Sequence, residues 1–265
     1  MDRVTPTAVR KAKGRGITAL TAYDYPTARL LDEAGIEVLL VGDSLGMLVL
    51  GLPDTTGVVI EDILHHLRAV SRGASRALVV ADMPIATYRT PVEAVTNAKR
   101  LAASGAHAVK LEGGSTCAEQ IRAITDAGIP VMAHLGMLPQ HIREEGKYKI
   151  KGKTETERQF LLEEASVVEG AGAFAVVLEL VFPKTAGEIT DAIQIPTIGI
   201  GSGSQCDGQI LVVHDLVGYS PWFVPKHVHP EAEVGNMITR AAHAFIARTR
   251  RSDSPGARPR IADSR

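Results

Sequence analysis

Short, nearly continuous apolar runs recur along the chain from residue 17 to about residue 217. They are ITALTAY (17–23), EVLLVGDS (37–44), ALVVADMP (77–84), AVKLEG (108–113), PVMAHLG (130–136), FAVVLEL (174–180), PTIGIGS (196–202) and LVVHDLV (211–217), eight in all. Runs without strict alternation read as parallel strands covered on both faces. The segments between them carry helical spacing: Ile63, Leu67 and Val70 share one face, as do Val92, Val95, Leu101 and Ala102, and Leu161, Ala165, Val168 and Gly172. Several of these segments stop at a glycine (Gly35, Gly105, Gly128 and Gly172) just before the next apolar run. An open doubly wound sheet would give similar local signals. Eight repeats of strand, helix and glycine predict instead a closed parallel (β/α)8 TIM-type barrel.

Two regions break the rhythm. Residues 45–60 and 137–153 are too long for minimal turns, and the second is polar, basic and punctuated by glycine. Behind the ends of the strands they would form lids or active-site walls; otherwise they are ordinary surface insertions. Residues 1–247 are expected to form one catalytic barrel domain. The charged, proline-bearing tail 248–265 is expected to be disordered.

Composition narrows the function classes. The chain has 265 residues, 45% of them hydrophobic, with 29 lysines and arginines against 30 aspartates and glutamates. A formal net charge of −1 gives no overall field for gathering nucleic acid or coating an anionic membrane. The two cysteines, Cys117 and Cys206, cannot build a disulfide framework or a four-thiolate zinc site. The apolar stretch VLLVGDSLGMLVLGL is interrupted by Asp43 and is too short to span a bilayer. No secretory signal is recognisable at the N-terminus, so a cytoplasmic location is expected.

The chemistry collects where the runs end. Asp43 and Ser44 close the second, Asp82 the third, Lys110 and Glu112 the fourth, His134 the fifth and Glu179 the sixth. Parallel strands of a barrel finish at one mouth, so these residues converge. An unpaired carboxylate in an apolar setting costs several kcal/mol, so a set of four carboxylates needs compensation. Lys110 offsets one charge and a divalent cation would offset more. Hard oxygen donors without thiolates or paired histidines favour magnesium over zinc. Asp43 and Asp82 form the natural ligand pair, with Glu112 joining directly or through water. Glu179, between Leu178 and Leu180, suits general-base work. Each residue has a plainer alternative: strand-end aspartates cap helices, Lys110 can be a simple ion-pair partner, and His134 a hydrogen-bonded structural residue. Gly199-Ile200-Gly201-Ser202-Gly203 lacks the spacing of a dinucleotide or P-loop signature and reads as a tight turn.

In order along the chain stand LTAYDYPTARLLDEAG (20–35), VGDSLGM (41–47), ADMP (81–84), VKLEGG (109–114), HLGMLPQ (134–140), GIGSG (199–203) and DGQILVVHDLVG (207–218). Together they resemble the 3-methyl-2-oxobutanoate hydroxymethyltransferase family. The resemblance implies a barrel enzyme that is a homo-oligomer, commonly a decamer, and uses Mg2+. It implies transfer of a hydroxymethyl group from 5,10-methylenetetrahydrofolate to 3-methyl-2-oxobutanoate, giving 2-dehydropantoate. By motif, Asp43, Asp82 and Glu112 match metal positions, and Asp43, Ser44, Asp82 and Lys110 match oxo-acid contacts. Glu179 matches the proton acceptor, and His134 lies next to the site. The loop 51–59 and Ile85 depart from the usual pattern, which leaves room for a paralogue acting on another 2-oxo acid. A lyase or mutase of the phosphoenolpyruvate mutase type is the rival on a similar barrel. Neither Cys117 nor Cys206 lies in the K-[KR]-C-G-H loop those enzymes carry.

Overall fold

The computed structural model describes residues 3–220 and 224–251. Eight strands run parallel and close into a barrel in chain order, with β8 returning to β1. They are β1 (Ile17–Thr21), β2 (Val38–Val41), β3 (Leu78–Asp82), β4 (Ala108–Glu112), β5 (Val131–Gly136), β6 (Ala175–Glu179), β7 (Thr197–Ile200) and β8 (Gly208–Leu211). The helices are α1 (Pro6–Arg10), α2 (Tyr25–Ala34), α3 (Leu45–Leu48), α4 (Ile60–Gly73), α5 (Pro91–Ala103), α6 (Ala118–Asp126), α7 (Ile142–Glu145), α8 (Glu155–Gly170), α9 (Pro183–Ala192), α10 (Val213–Leu216) and α11 (Val234–Arg251). The TIM-type barrel expected from the repeat is therefore the fold. Among the described residues no helix is long and apolar enough to cross a membrane.

The barrel interior is filled by alternate residues of the strands, as the two-residue strand period requires. Val38 and Leu40, Leu78 and Val80, Ala108, Met132, Ala175 and Val177 belong to one buried cluster with Ile17, Ala19, Ile198 and Ile210. Continued by steps of two, the same faces reach Asp82 on β3, Lys110 and Glu112 on β4, His134 on β5 and Glu179 on β6. The interior thus changes from apolar to ionisable towards the strand ends, without any change of side. At the opposite end Val9 of α1 joins the apolar cluster. Helix α1 starts at Pro6, and the Thr5 side chain accepts a hydrogen bond from the Ala8 amide at 3.1 Å. A threonine cap followed by proline is a helix start that the search for apolar runs passed over.

Two expectations are corrected. The run 211–217 is not the eighth strand: β8 is Gly208–Leu211, and the chain then turns into α10. Gly208 is the Cα partner of Ile17, and a β-carbon there would lie 2.5 Å from the Ile17 carbonyl oxygen. Only glycine lets the strand begin that close to β1. The Val213 amide then bonds the Thr21 hydroxyl at 3.0 Å, which ends the ladder. On α5 the buried face is Ala94, Ala98 and Leu101, and Val92 is 78% exposed. Alanines let this helix approach its neighbours closely, so the small residues rather than the valines face inward.

Contacts divide the chain after Val213, with a second unit beginning at His214. That second unit contains α11, whose side chains from Asn236 to Arg250 are exposed. Residues 248–251, read from sequence as the start of a disordered tail, close this helix, and residues 252–265 lie outside the described residues.

Candidate active site

Strand register sets the site. Asp82 is the Cα partner of Lys110 across β3 and β4, and Glu112 is that of His134 across β4 and β5. Lys110 Nζ donates to both carboxylate oxygens of Asp82, at 2.9 and 2.7 Å. Glu112 Oε1 lies 3.9 Å from Lys110 Nζ and 3.4 Å from His134 Nδ1. His134 Nε2 lies 3.4 Å from Glu179 Oε2. Asp43 stands in the turn after β2, and its backbone amide points at Asp82 Oδ2, 3.4 Å away. The structure therefore brings together Asp43, Asp82, Lys110, Glu112, His134 and Glu179. Ser44 follows Asp43, and its hydroxyl meets that of Tyr23 at 2.8 Å.

The helix-cap alternative does not describe the aspartates. Asp82 accepts from Lys110 and from the Asp43 amide, and Asp43 accepts from the Gln140 side chain. Ser44 precedes α3 without a side-chain capping bond.

The electrostatics are those of an undercompensated acid cluster. Asp43, Asp82, Glu112, Lys110 and His134 are all buried, whereas the Glu179 side chain keeps 16% exposure. Burial, then Asp82 and Glu112, push the Asp43 carboxyl well above the usual carboxylate range, and Lys110 and Gln140 only partly oppose this. Burial also raises Asp82, against the pull of Lys110. Burial raises Glu112 too, but His134, Lys110 and the Gln140 amide outweigh it and hold this carboxyl low. Lys110 stays charged because Asp82, Glu112 and Asp43 overcome its burial. Burial and Lys110 oppose the charge of His134, yet the flanking Glu112 and Glu179 raise it to about 9. Four carboxylates thus face two cations, Lys110 and His134.

That imbalance tests whether a metal fits. Among the described residues no group of three or more Asp, Glu, His or Cys side chains is arranged to hold a metal ion. Magnesium needs no such cage: one or two carboxylates suffice, with water and substrate oxygens filling the rest of its shell. Asp43, whose carboxyl is driven towards protonation by burial and then by Asp82 and Glu112, would gain from an added cation. The donors are hard oxygens, and Glu112 Oε1 has no hydrogen-bond partner. Hard oxygen donors in excess of the local cations fit a hard divalent ion.

Sequence reasoning missed three neutral residues. Gln140, buried in the loop after β5, donates from Nε2 to Asp43 Oδ2 and to the Met83 carbonyl, both at 3.0 Å, and its backbone amide donates to Glu112 Oε2 at 3.0 Å. The Tyr88 hydroxyl donates to Gln140 Oε1 at 2.6 Å. Tyr23 holds Ser44. Gln140 and Tyr23 lie inside motifs already singled out, but attention to ionisable strand ends passed over uncharged groups on loops. The loop 137–153 is therefore a wall of the site. Its Arg143 pairs with Asp54 of the other long loop, Nε to Oδ2 at 3.0 Å.

The sequence model of the family described as ketopantoate hydroxymethyltransferase matches residues 3–257. The chain belongs to this family. Among curated relatives, the 3-methyl-2-oxobutanoate hydroxymethyltransferase of Syntrophus aciditrophicus (strain SB) is 50% identical over 257 residues, covering 96% of this chain and 94% of the relative. That of Clostridium novyi (strain NT) is 52% identical over 255 residues, covering 95% and 93%. Solved structures share the fold at low identity. Phosphonopyruvate hydrolase in complex with oxalate and Mg++ superposes with a TM-score of 0.62 at 16% identity, over 97% of this chain and 92% of that one. Phosphoenolpyruvate phosphomutase from Streptomyces platensis subsp. rosaceus gives 0.64 at 14% identity, over 94% and 88%. These two likenesses concern the barrel alone. The ketopantoate hydroxymethyltransferase family places this chain with the transferases and apart from the lyase and mutase rival.

Proposed function

We propose that this chain transfers a hydroxymethyl group from 5,10-methylenetetrahydrofolate to 3-methyl-2-oxobutanoate, giving 2-dehydropantoate with the consumption of one water. Family membership supports the reaction. The observation that carries the site is the acid cluster at the strand ends, where three carboxylates are buried and one, Glu179, keeps access to solvent.

In this reading Asp43 and Asp82 would hold a magnesium ion, with Glu112 joining directly or through water. When bound, the ion supplies Lewis-acid polarisation of the oxo acid. Ser44 and Lys110 bind the oxo acid from the strand ends, and the fixed Lys110 ammonium stabilises negative charge developing on the keto oxygen. Glu179 takes the proton from C3 of the oxo acid. His134, charged and held between Glu112 and Glu179, orients the Glu179 carboxylate. The electron pair left at C3 forms the new carbon–carbon bond to the one-carbon unit. Both bonds of that carbon to the folate nitrogens break, water supplies the hydroxyl oxygen, and the C3 proton and one water proton leave on the nitrogens of tetrahydrofolate. The two long loops would screen the mouth from water. A homo-oligomer working in the cytoplasm completes this reading, on family resemblance.

Deuterium exchange at C3 of 3-methyl-2-oxobutanoate, with Mg2+ and without folate, tests the proton-transfer half. Product analysis with methylenetetrahydrofolate and a panel of branched 2-oxo acids tests the whole. Exchange, and 2-dehydropantoate as the preferred product, are expected, and both should stop in excess EDTA. Absence of exchange and product with Mg2+ present would overturn the assignment. Preference for another oxo acid would make the chain a paralogue within the same chemistry.

A further inference from the structure

One buried amide joins three strand ends of the site. Gln140 comes from the loop after β5, yet its side chain reaches Asp43 after β2 and the Met83 carbonyl just after β3, while its backbone amide reaches Glu112 at the end of β4. The orientation of the amide is dictated by its partners. A carboxylate oxygen and a carbonyl oxygen, both acceptors, face the nitrogen, and the Tyr88 hydroxyl faces the oxygen. A flipped amide would set oxygen against two acceptors. The residue is 1% exposed and Tyr88 7%, so these bonds form away from competing water.

Such a group does more than fill space. Asp43 emerges from a turn, outside the ladder that fixes Asp82, Lys110 and Glu112 by register. Without a partner its carboxylate would be free to rotate about its last torsion, a broad and nearly two-fold one. The Gln140 bond engages Oδ2 and leaves Oδ1 for an incoming cation or substrate oxygen. Hydrogen bonds that orient a ligating carboxylate commonly change metal affinity or activity about 10–100-fold when removed.

We propose that Gln140, ordered by Tyr88, is a positioning residue that presets the Asp43 carboxylate for a divalent cation. The inference rests on the cation reading given above for Asp43, and it assigns no contact between Gln140 and the reacting atoms.

The test is Mn2+ titration of the full chain, followed by electron paramagnetic resonance without substrate, together with melting temperatures. Gln140→Met keeps length and volume but removes both donors. Its Kd for Mn2+, titrated below the melting range, should rise about 10–100-fold. Its melting temperature should fall, because Asp43, the Met83 carbonyl and the Tyr88 hydroxyl each lose a buried partner. Tyr88→Phe should raise Kd in the same direction by less, and the double variant should be no weaker than Gln140→Met alone. A folded Gln140→Met with the parent's Mn2+ affinity would overturn the proposal, as would a parent that binds no Mn2+. If Gln140→Met does not fold, Tyr88→Phe decides: parental affinity there overturns it equally. Turnover is scored separately. A parent that binds Mn2+ but does not transfer hydroxymethyl groups would sink the proposed activity and leave the Gln140 result standing. A fully active parent with Gln140→Met of unaltered affinity would do the reverse.

Discussion

Lys110 Nζ grips both carboxylate oxygens of Asp82, and the two residues are Cα partners on adjacent strands. Their side chains are only 5% and 1% exposed, so the pair is buried in full. The contact is a direct product of parallel register: alternate positions of β3 and β4 that are apolar at Val80 and Ala108 become Asp82 and Lys110 one step further along. Lys110 also lies 3.9 Å from a second carboxylate, Glu112, which His134 approaches more closely, at 3.4 Å. The Lys110 charge is thus a permanent part of the site, present before any substrate or metal arrives.

Replacing Lys110 by methionine keeps most of the volume but leaves Asp82 buried without its counter-charge. Removing one partner of a buried pair typically costs about 3–5 kcal/mol. The variant should unfold at lower denaturant than the parent, and Mg2+ should stabilise it more than it stabilises the parent, because the cation replaces part of the missing charge. Denaturation curves with and without Mg2+ read both effects. Curves superimposable on the parent's would mean that this ion pair contributes nothing to the fold.

Glu179→Gln removes a proton acceptor while conserving shape. General-base assistance is worth about 10²–10⁴ in rate, so turnover and C3 exchange should fall together by a factor in that range. Mg2+ affinity should stay close to the parent's, since Glu179 faces His134 and is not among the proposed ligands. Weakened Mg2+ binding with exchange preserved would instead make Glu179 a ligand.

What could be read from the sequence follows from periodicity. The strands are short apolar runs, and Asp82, Lys110, Glu112 and Glu179 lie at their ends on the same two-residue step as the core, so topology alone assembles them. Asp43 was legible as a strand-end acid although it stands just past β2, in a turn. The tertiary partners were not legible. Gln140 and Tyr88 are 52 residues apart, and no local pattern announces a hydrogen bond across that separation. The eighth strand was misplaced because β8 opens on Gly208, where close approach to Ile17 matters more than hydrophobicity. The apolar run after it belongs largely to α10.

Gly136 holds β5 against β6 at the site. Its φ is +95°, and a β-carbon there would lie 2.3 Å from the backbone oxygen of Glu179. That same oxygen accepts the Met137 amide at 2.8 Å. Gly136→Ala must therefore both strain the backbone and push apart the segment that carries Glu179. An L-residue in the left-handed region costs about 1–2 kcal/mol, and the steric clash adds to it. The variant should lose stability by at least that amount and lose turnover beyond what the melting shift explains, checked by calorimetry and by C3 exchange below the melting range. Parental activity in a folded Gly136→Ala would show that Glu179 tolerates displacement.

A pH-dependent contribution to stability lies away from the mouth. Asp32, buried on α2, accepts from the Ala77 amide at 2.6 Å, the Arg76 amide at 3.0 Å, the Ser75 amide at 3.1 Å and the Ser75 hydroxyl at 2.8 Å. It ties a helix to the turn that leads into β3, and thereby to the strand that carries Asp82. Burial raises its carboxyl, but the bonds from Ala77, Ser75 and Arg76 outweigh burial and hold it below the usual range. A carboxyl lowered by folding stabilises the folded state above the unfolded value of about 3.9, and that contribution is lost as pH falls through the lower folded value. Asp32→Asn offers one acceptor oxygen instead of two and turns an NH2 group towards backbone donors. Each buried donor left unpaired costs about 1–3 kcal/mol. Urea unfolding should therefore show a gap of at least that size between parent and variant, constant from pH 7 to about 5 and narrowing below about 4. A gap absent at neutral pH, or one that does not narrow in acid, would mean that the ionised carboxylate does not secure this turn.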